Sequence, residues 1–228
     1  MNEVYGILEE KIEYSFKDRS HLRCALTHSS YANEIQLGRA EDYERYEFLG
    51  DAVLEMVSSD FLFRKFPEKN EGELTKIRAS LVCEPTLAQC ARELELNRYI
   101  RLGRGEERQG SANKDSIISD VFEAVIGAIY MDGGIECARE FIERKLLQDM
   151  DNLTLFYDTK TRLQTLVQKY KGELEYNVIG ESGPDHNKMF EVEVLINKER
   201  ISTGIGSSKK AAQQKAAYNA LMKLKEEK

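Results

Sequence analysis

Five carboxylates stand on segments that otherwise read as apolar helix. In Glu44-Arg45-Tyr46-Glu47-Phe48-Leu49-Gly50-Asp51-Ala52-Val53-Leu54, a turn of about 100° per residue brings Glu44, Glu47 and Asp51 within roughly 60° of one another. Leu49, Val53, Leu54, Met56 and Val57 cover most of the remaining surface. Between Asp115 and Asp132 the charged residues are Asp120 and Glu123, three apart and so on one face. Around them lie Ile117, Ile118, Val121, Phe122, Val125, Ile126 and Ile129. An ionised carboxylate in apolar surroundings costs several kcal/mol unless a cation or hydrogen-bond donors compensate it. Few basic residues stand beside these acids. All-oxygen ligation points to a hard cation, magnesium first and manganese as its substitute. A di-iron bundle needs a Glu-x-x-His pair on such helices, and the sequence has none there.

Plainer readings exist for single residues. Glu44 can be a solvated face, and Glu71, in Asn70-Glu71-Gly72-Glu73, a first-turn acid favoured by the helix dipole. His28 reads as a hydrogen-bonded structural residue rather than an acid or base. Asp51, Asp120 and Glu123 resist such readings, because their neighbours are apolar.

The elements that must position these acids follow from hydrophobic spacing. Apolar residues recur at intervals of three and four through residue 150, which predicts helices at 3–12, 18–26, 38–65, 70–82, 85–96, 111–131 and 134–149. Phe66-Pro67 and Asp132-Gly133-Gly134 act as stops. The expectation is an all-α domain over 1–150, then a linker at 151–157. Over 158–228 the pattern changes to a small α+β domain in the order α-β-β-β-α. Its helices are expected at 160–170 and 208–225, around alternating segments at 174–181, 188–196 and 200–206. Turns are expected at Gly183-Pro184 and Asn197-Lys198, and an N-cap at Ser207-Ser208.

The net charge of −7 argues at first against a nucleic-acid partner. It is unevenly spread. Residues 1–150 carry 20 Lys and Arg against 29 Asp and Glu, whereas residues 151–228 carry 13 against 11, so a mildly basic module follows an acidic one. The four cysteines form no C-x-x-C pair, which excludes a zinc ribbon or disulfide framework and leaves free thiols. No apolar run is long enough to span a bilayer. The expectation is a cytoplasmic protein with no membrane partner.

Several of these segments together resemble the ribonuclease III family. The run from Glu44 to Leu54 looks like its signature helix, with Tyr46 where Leu is usual. Leu26-Thr27-His28-Ser29, Asn70-Glu71-Gly72 with Arg78-Ala79, and Ser116 through Ala124 resemble further landmarks in the same order. The resemblance implies that Glu47, Asp51, Asp120 and Glu123 bind magnesium, with Asp51 and Glu123 the catalytic pair. It implies that Glu44 and Glu71 support the cleft, that Phe48 inserts into a partner subunit, and that the chain is a homodimer. The implied reaction is hydrolysis of double-stranded RNA to 5′-phosphate and 3′-hydroxyl ends with short 3′ overhangs, in processing of ribosomal and other structured RNA precursors.

The C-terminal part is similar to a double-stranded-RNA-binding domain. Gln164 and His186 match its minor-groove contacts, and Lys209 with Lys210 its phosphate clamp. Such modules read duplex shape through 2′-hydroxyls and phosphates. Thr165 departs from the usual Glu, so only Gln164 is assigned on that helix. Two readings from other classes stay open: a non-catalytic duplex binder whose helical part only dimerises, and a metal-storing or interaction bundle with an unrelated RNA-binding tail.

Overall fold

The computed structural model describes residues 2–37, 41–148, 159–183, 188–206 and 208–226. The chain divides into two units, 1–150 and 151–228; the expected linker at 151–157 lies outside the described residues. The first unit is helical: α1 (Asn2–Ile12), α2 (Arg19–Ala25), α3 (Ser29–Glu34), α4 (Glu44–Lys65), α5 (Glu71–Leu81), α6 (Glu84–Glu93), α7 (Arg104–Arg108) and α8 (Asp115–Ile142). The second holds α9 (Thr159–Lys169), β1 (Leu174–Ser182), β2 (Met189–Ile196), β3 (Glu199–Gly206) and α10 (Lys209–Glu226). Among the described residues no helix is long and apolar enough to cross a membrane.

α8 is apolar nearly all round and therefore becomes the central rod. Ile118, Val121, Phe122, Ala124, Val125, Ile126 and Ile129 have no solvent exposure, and α2, α4 and α6 pack around it. The stop expected at 132–134 is a kink instead. Gly134 leaves helical geometry at φ 79°, while Asp132 turns its carboxylate to the Tyr14 hydroxyl (2.6 Å) and the backbone N–H of Lys17 (2.9 Å) and Asp18 (2.8 Å). The chain bends there and stays helical.

α4 begins at Glu44 rather than at residue 38, because Asp42 accepts a hydrogen bond from the Glu44 N–H (3.2 Å) and ends the preceding loop. At α5, Asn70 and Glu73 cap each other's backbone N–H groups at 3.1 Å, a reciprocal N-terminal lock. The short helices α3 and α7 were not expected. All four cysteines are free.

In the second unit β1, β2 and β3 form an antiparallel sheet in sequence order. Asn197 and Lys198 both take positive φ (52° and 69°), the tight hairpin that their position predicts. α9 packs on α10, which lies on β2 and β3; Leu163, Val167, Val192, Val194, Ala212, Ala216 and Leu221 form the core. Ser208 caps α10 by accepting from the Ala211 N–H (3.1 Å). The order is α-β-β-β-α.

Candidate active site and nucleic-acid interface

The acids meet because two glycines let α4 and α8 touch backbone to backbone. A methyl group at Gly50 would lie 1.8 Å from the Glu123 carbonyl oxygen, and one at Gly127 would lie 2.2 Å from the Tyr46 carbonyl oxygen. Each glycine thus faces the partner helix beside a residue of the acidic motif. The crossing sets Glu47 and Asp51 of α4 against Asp120 and Glu123 of α8.

Their electrostatics record the crowding. Burial, then the charges of Asp51, Glu47, Asp120 and Glu55, push the Glu123 carboxyl up to about 8. Burial, then Asp120, Glu44 and Asp51, push Glu47 up to about 7. Asp120 is also raised, by burial and by Glu84, against hydrogen bonds from Ser119 and Tyr43 that favour its ionised form. No basic side chain figures among the charges acting on Glu47 or Glu123. The side chains are near neighbours without closing on one point: among the described residues no three His, Cys, Asp or Glu are grouped tightly enough to hold an ion. Uncompensated carboxylates repel, so nothing draws their oxygens to ligand distance.

The structure corrects the picture of acids on two buried helices. Glu47, Asp120 and Glu123 are half-buried, whereas Glu44 and Asp51 are exposed. α4 buries one face only, through Gly50, Val53, Leu54, Val57, Ser58 and Leu62. Its other face exposes Phe48 (80%), Met56 (49%) and Phe63 (72%). Glu71 sits in the first turn of α5, exposed, and accepts from the Thr75 hydroxyl at 3.2 Å. It is not among the charges acting on Glu47, Asp120 or Glu123, so this chain does not bring it into the cluster.

Two supporting residues, Tyr43 and Glu55, escaped the sequence reading. Tyr43, buried at the foot of α4, hydrogen-bonds the Asp120 carboxylate; its own hydroxyl is pushed well up by burial and by that acid. Glu55 extends the stripe of Asp51 by one turn, a spacing that could have found it. Arg78 reaches Glu55 at 3.1 Å and donates to the Ser59 hydroxyl at 2.7 Å. His28 has the structural role expected of it. Its Nδ1 accepts from the Ser30 N–H (3.0 Å) at the start of α3, and its ring meets Tyr43 edge-on with centroids 5.6 Å apart.

In the second unit Gln164 and Thr165 are exposed on α9, and Lys209 is exposed in the first turn of α10. Phe190, opposite Glu181 in the β1–β2 ladder, organises a basic cluster. The ammonium groups of Lys188 and Lys209 lie 5.6 Å and 5.7 Å from its ring centre. Glu181 pairs with Lys188 at 2.6 Å and with Lys209 at 3.8 Å, and these two ammonium groups hold its carboxyl below the usual range. His186 and the side chain of Lys210 lie outside the described residues.

Two family models match the chain, ribonuclease-III-like over residues 18–150 and double-stranded RNA binding motif over residues 159–224. It is 44% identical over 220 residues to ribonuclease 3 of Listeria monocytogenes, covering 95% of this chain and 96% of that one. The chain belongs to the ribonuclease III family. Ribonuclease 3 of Streptococcus uberis is 45% identical over 231 aligned residues, covering the whole of both chains. Among solved structures, the nuclease domain of ribonuclease III from Campylobacter jejuni, described for flexibility in a region involved in its dimer formation, matches at a TM-score of 0.57 and 42% identity. That match covers 61% of this chain and 93% of the other. Within the ribonuclease III signature helix the departure at Tyr46 has a local partner: its hydroxyl lies 2.7 Å from Nδ1 of His21 on α2. The polar atom that Tyr brings is thereby satisfied.

Proposed function

We propose that this chain hydrolyses phosphodiester bonds of double-stranded RNA by a divalent-metal mechanism, with Glu47, Asp51, Asp120 and Glu123 as metal-binding residues and Asp51 and Glu123 closest to the reacting phosphate. The observation that carries this reading is the crowding of these four carboxylates at the Gly50–Gly127 crossing, in a chain that also carries a duplex-binding motif. Glu47 and Glu123 with pKa values near neutrality mark a place where negative charge exceeds what the protein compensates. An oxygen-only donor set of this kind fits magnesium, with manganese as substitute.

Bound there, the cation supplies charge neutralisation for the scissile phosphate and acidity for an attacking water. The protein's part is to hold the carboxylates. The glycine contact fixes the backbones of α4 and α8, Tyr43 orients Asp120, and side-chain torsions of Glu47 and Glu123 are left to close on the ion. Glu44 and Glu71 support the cleft, Glu71 from a position that a second subunit would have to bring near. The exposed apolar face of α4 around Phe48 supports a homodimer, since an isolated face of this kind marks an interaction surface. Gln164 and His186 take the minor groove, and Lys209 and Lys210 the phosphates, reading the duplex by shape. Products with 5′-phosphate ends and short 3′ overhangs, processing of ribosomal and other structured RNA precursors, and a cytoplasmic location complete the reading.

Incubating a long RNA duplex with the protein and magnesium, then separating the products on a gel, tests it. Wild type is expected to cut; Asp51→Asn is expected to bind the duplex without cutting. Retained cutting by Asp51→Asn would remove Asp51 from the mechanism. Binding without cutting by the wild type would favour a non-catalytic duplex binder.

A further inference from the structure

The first unit holds a concavity whose lining includes none of the acids of the cleft. It encloses about 650 Å³ between α1, α2, α3 and the segment 98–101, within the range of small-molecule sites. Its contents are unusual for this part of the chain. Residues 1–150 carry a net charge of −9 from 20 basic and 29 acidic residues, yet three arginines, Arg23, Arg98 and Arg101, line this one cavity. Arg98 is tied to Glu95 at 3.1 Å. Among the described residues no carboxylate pairs with Arg23 or Arg101, although Glu41 stands on the same wall.

Arg101 is also anchored. Its backbone N–H donates to the Leu26 carbonyl (2.7 Å) and its carbonyl accepts from the His28 N–H (3.0 Å). Its guanidinium lies 4.4 Å from the centre of the Tyr31 ring. A guanidinium plane stacked on an aromatic ring has two properties at once: it presents a flat surface to another flat ring, and its edge N–H groups match phosphate oxygens. Tyr5 and Tyr99 add aromatic wall. The floor includes the buried Thr27, whose carbonyl accepts from the Tyr43 N–H at 2.8 Å. The cavity is therefore one hydrogen bond removed from the residue that orients Asp120.

We propose that this cavity is a non-catalytic nucleotide-binding site, in which a base stacks at the Arg101–Tyr31 pair and a phosphate is met by Arg23. An apolar ligand would leave two arginines uncompensated, and a bare anion would not use the tyrosines; a nucleotide satisfies both. The nucleotide can be free or can be an unpaired residue flanking a duplex. This site is separate from the acidic cleft, so its failure would leave the nuclease reading standing.

Calorimetric titration of the full chain with adenosine 5′-monophosphate, in EDTA to keep metal from the acidic cleft, tests the site. Saturable binding of one nucleotide per chain is expected, weakened at least tenfold by Arg101→Gln and by the exposed Arg23→Gln. A parallel arm compares a blunt duplex with the same duplex bearing a single-stranded 3′ tail. A tail that tightens binding in wild type but not in Arg101→Gln assigns the site to substrate RNA; mononucleotide binding with no effect of the tail assigns it to a free nucleotide. No saturation up to about 5 mM together with no effect of the tail would overturn the proposal. So would binding indifferent to both arginine substitutions.

Discussion

Replacing Glu123 by Gln should stabilise the metal-free protein while destroying its activity. Burial, and after it the neighbouring acids, hold the Glu123 carboxyl at about 8 against an ordinary 4.5. The folded chain therefore keeps a proton that the unfolded chain releases, and stability falls as pH rises from about 4.5, levelling off above about 8. At roughly 1.4 kcal/mol per tenfold change in proton affinity, the ceiling of this penalty at pH 7 is ~3 kcal/mol. The side chain is partly exposed, and solvent screening reduces that figure to ~1–2 kcal/mol. Glu123→Gln removes the penalty. Thermal unfolding by calorimetry, in EDTA between pH 5 and pH 8.5, is the assay. Wild type should lose stability across this window, and Glu123→Gln should lose less and unfold about 3–6 °C higher near neutral pH. Magnesium should raise the wild-type transition at pH 8 and leave that of the variant nearly unmoved. A variant that melts lower than wild type in EDTA at pH 8, with the same pH slope, would refute the reasoning, because the crowding would then not be costing the fold anything.

Gly50→Ala puts a methyl group 1.8 Å from the Glu123 carbonyl oxygen, so α4 and α8 must separate. The expected cost is about 3 kcal/mol in chemical denaturation, with cleavage lowered about a hundredfold by displaced carboxylates. Lys209→Ala combined with Lys210→Ala should flatten the dependence of duplex affinity on salt by one to two in the log–log slope, measured by anisotropy titrations at several salt concentrations. An unchanged slope would place the phosphate clamp elsewhere. Phe48→Glu should shift the chain from dimer to monomer in light scattering, since Phe48 is 80% exposed on α4; an unmoved mass would put the subunit contact on another face.

The parts of the site legible in the sequence are those carried by periodicity within one helix. α8 could be read because its apolar residues run nearly all round, which left Asp120 and Glu123 conspicuous. The stripe of Glu44, Glu47 and Asp51 on α4 was legible for the same reason. The exposure of much of α4 was not, because an apolar helix face left open has the same composition as a core face. Tyr43 and Glu55 escaped for different reasons. Tyr43 reaches Asp120 across a tertiary contact that spacing cannot encode, whereas Glu55 merely continued a stripe that was read one turn too short. α3 and α7 span six and five residues, fewer than two turns, and present too few apolar repeats to register. Spacing alone starts α4 too early, because the signal that marks its start is one bond, donated by the Glu44 N–H to the Asp42 carboxylate. Local spacing does not single out Glu181, which the fold sets between Lys188 ahead of β2 and Lys209 on α10.

Whether the four carboxylates hold a divalent cation can be read from manganese located by anomalous X-ray scattering in crystals of the full chain. A peak is expected at the α4–α8 crossing, within about 2.3 Å of carboxylate oxygens from both helices, Glu47 or Asp51 on one side and Asp120 or Glu123 on the other. A strong peak bound elsewhere, with this cluster empty in crystals that still cut duplex RNA once dissolved, would contradict it.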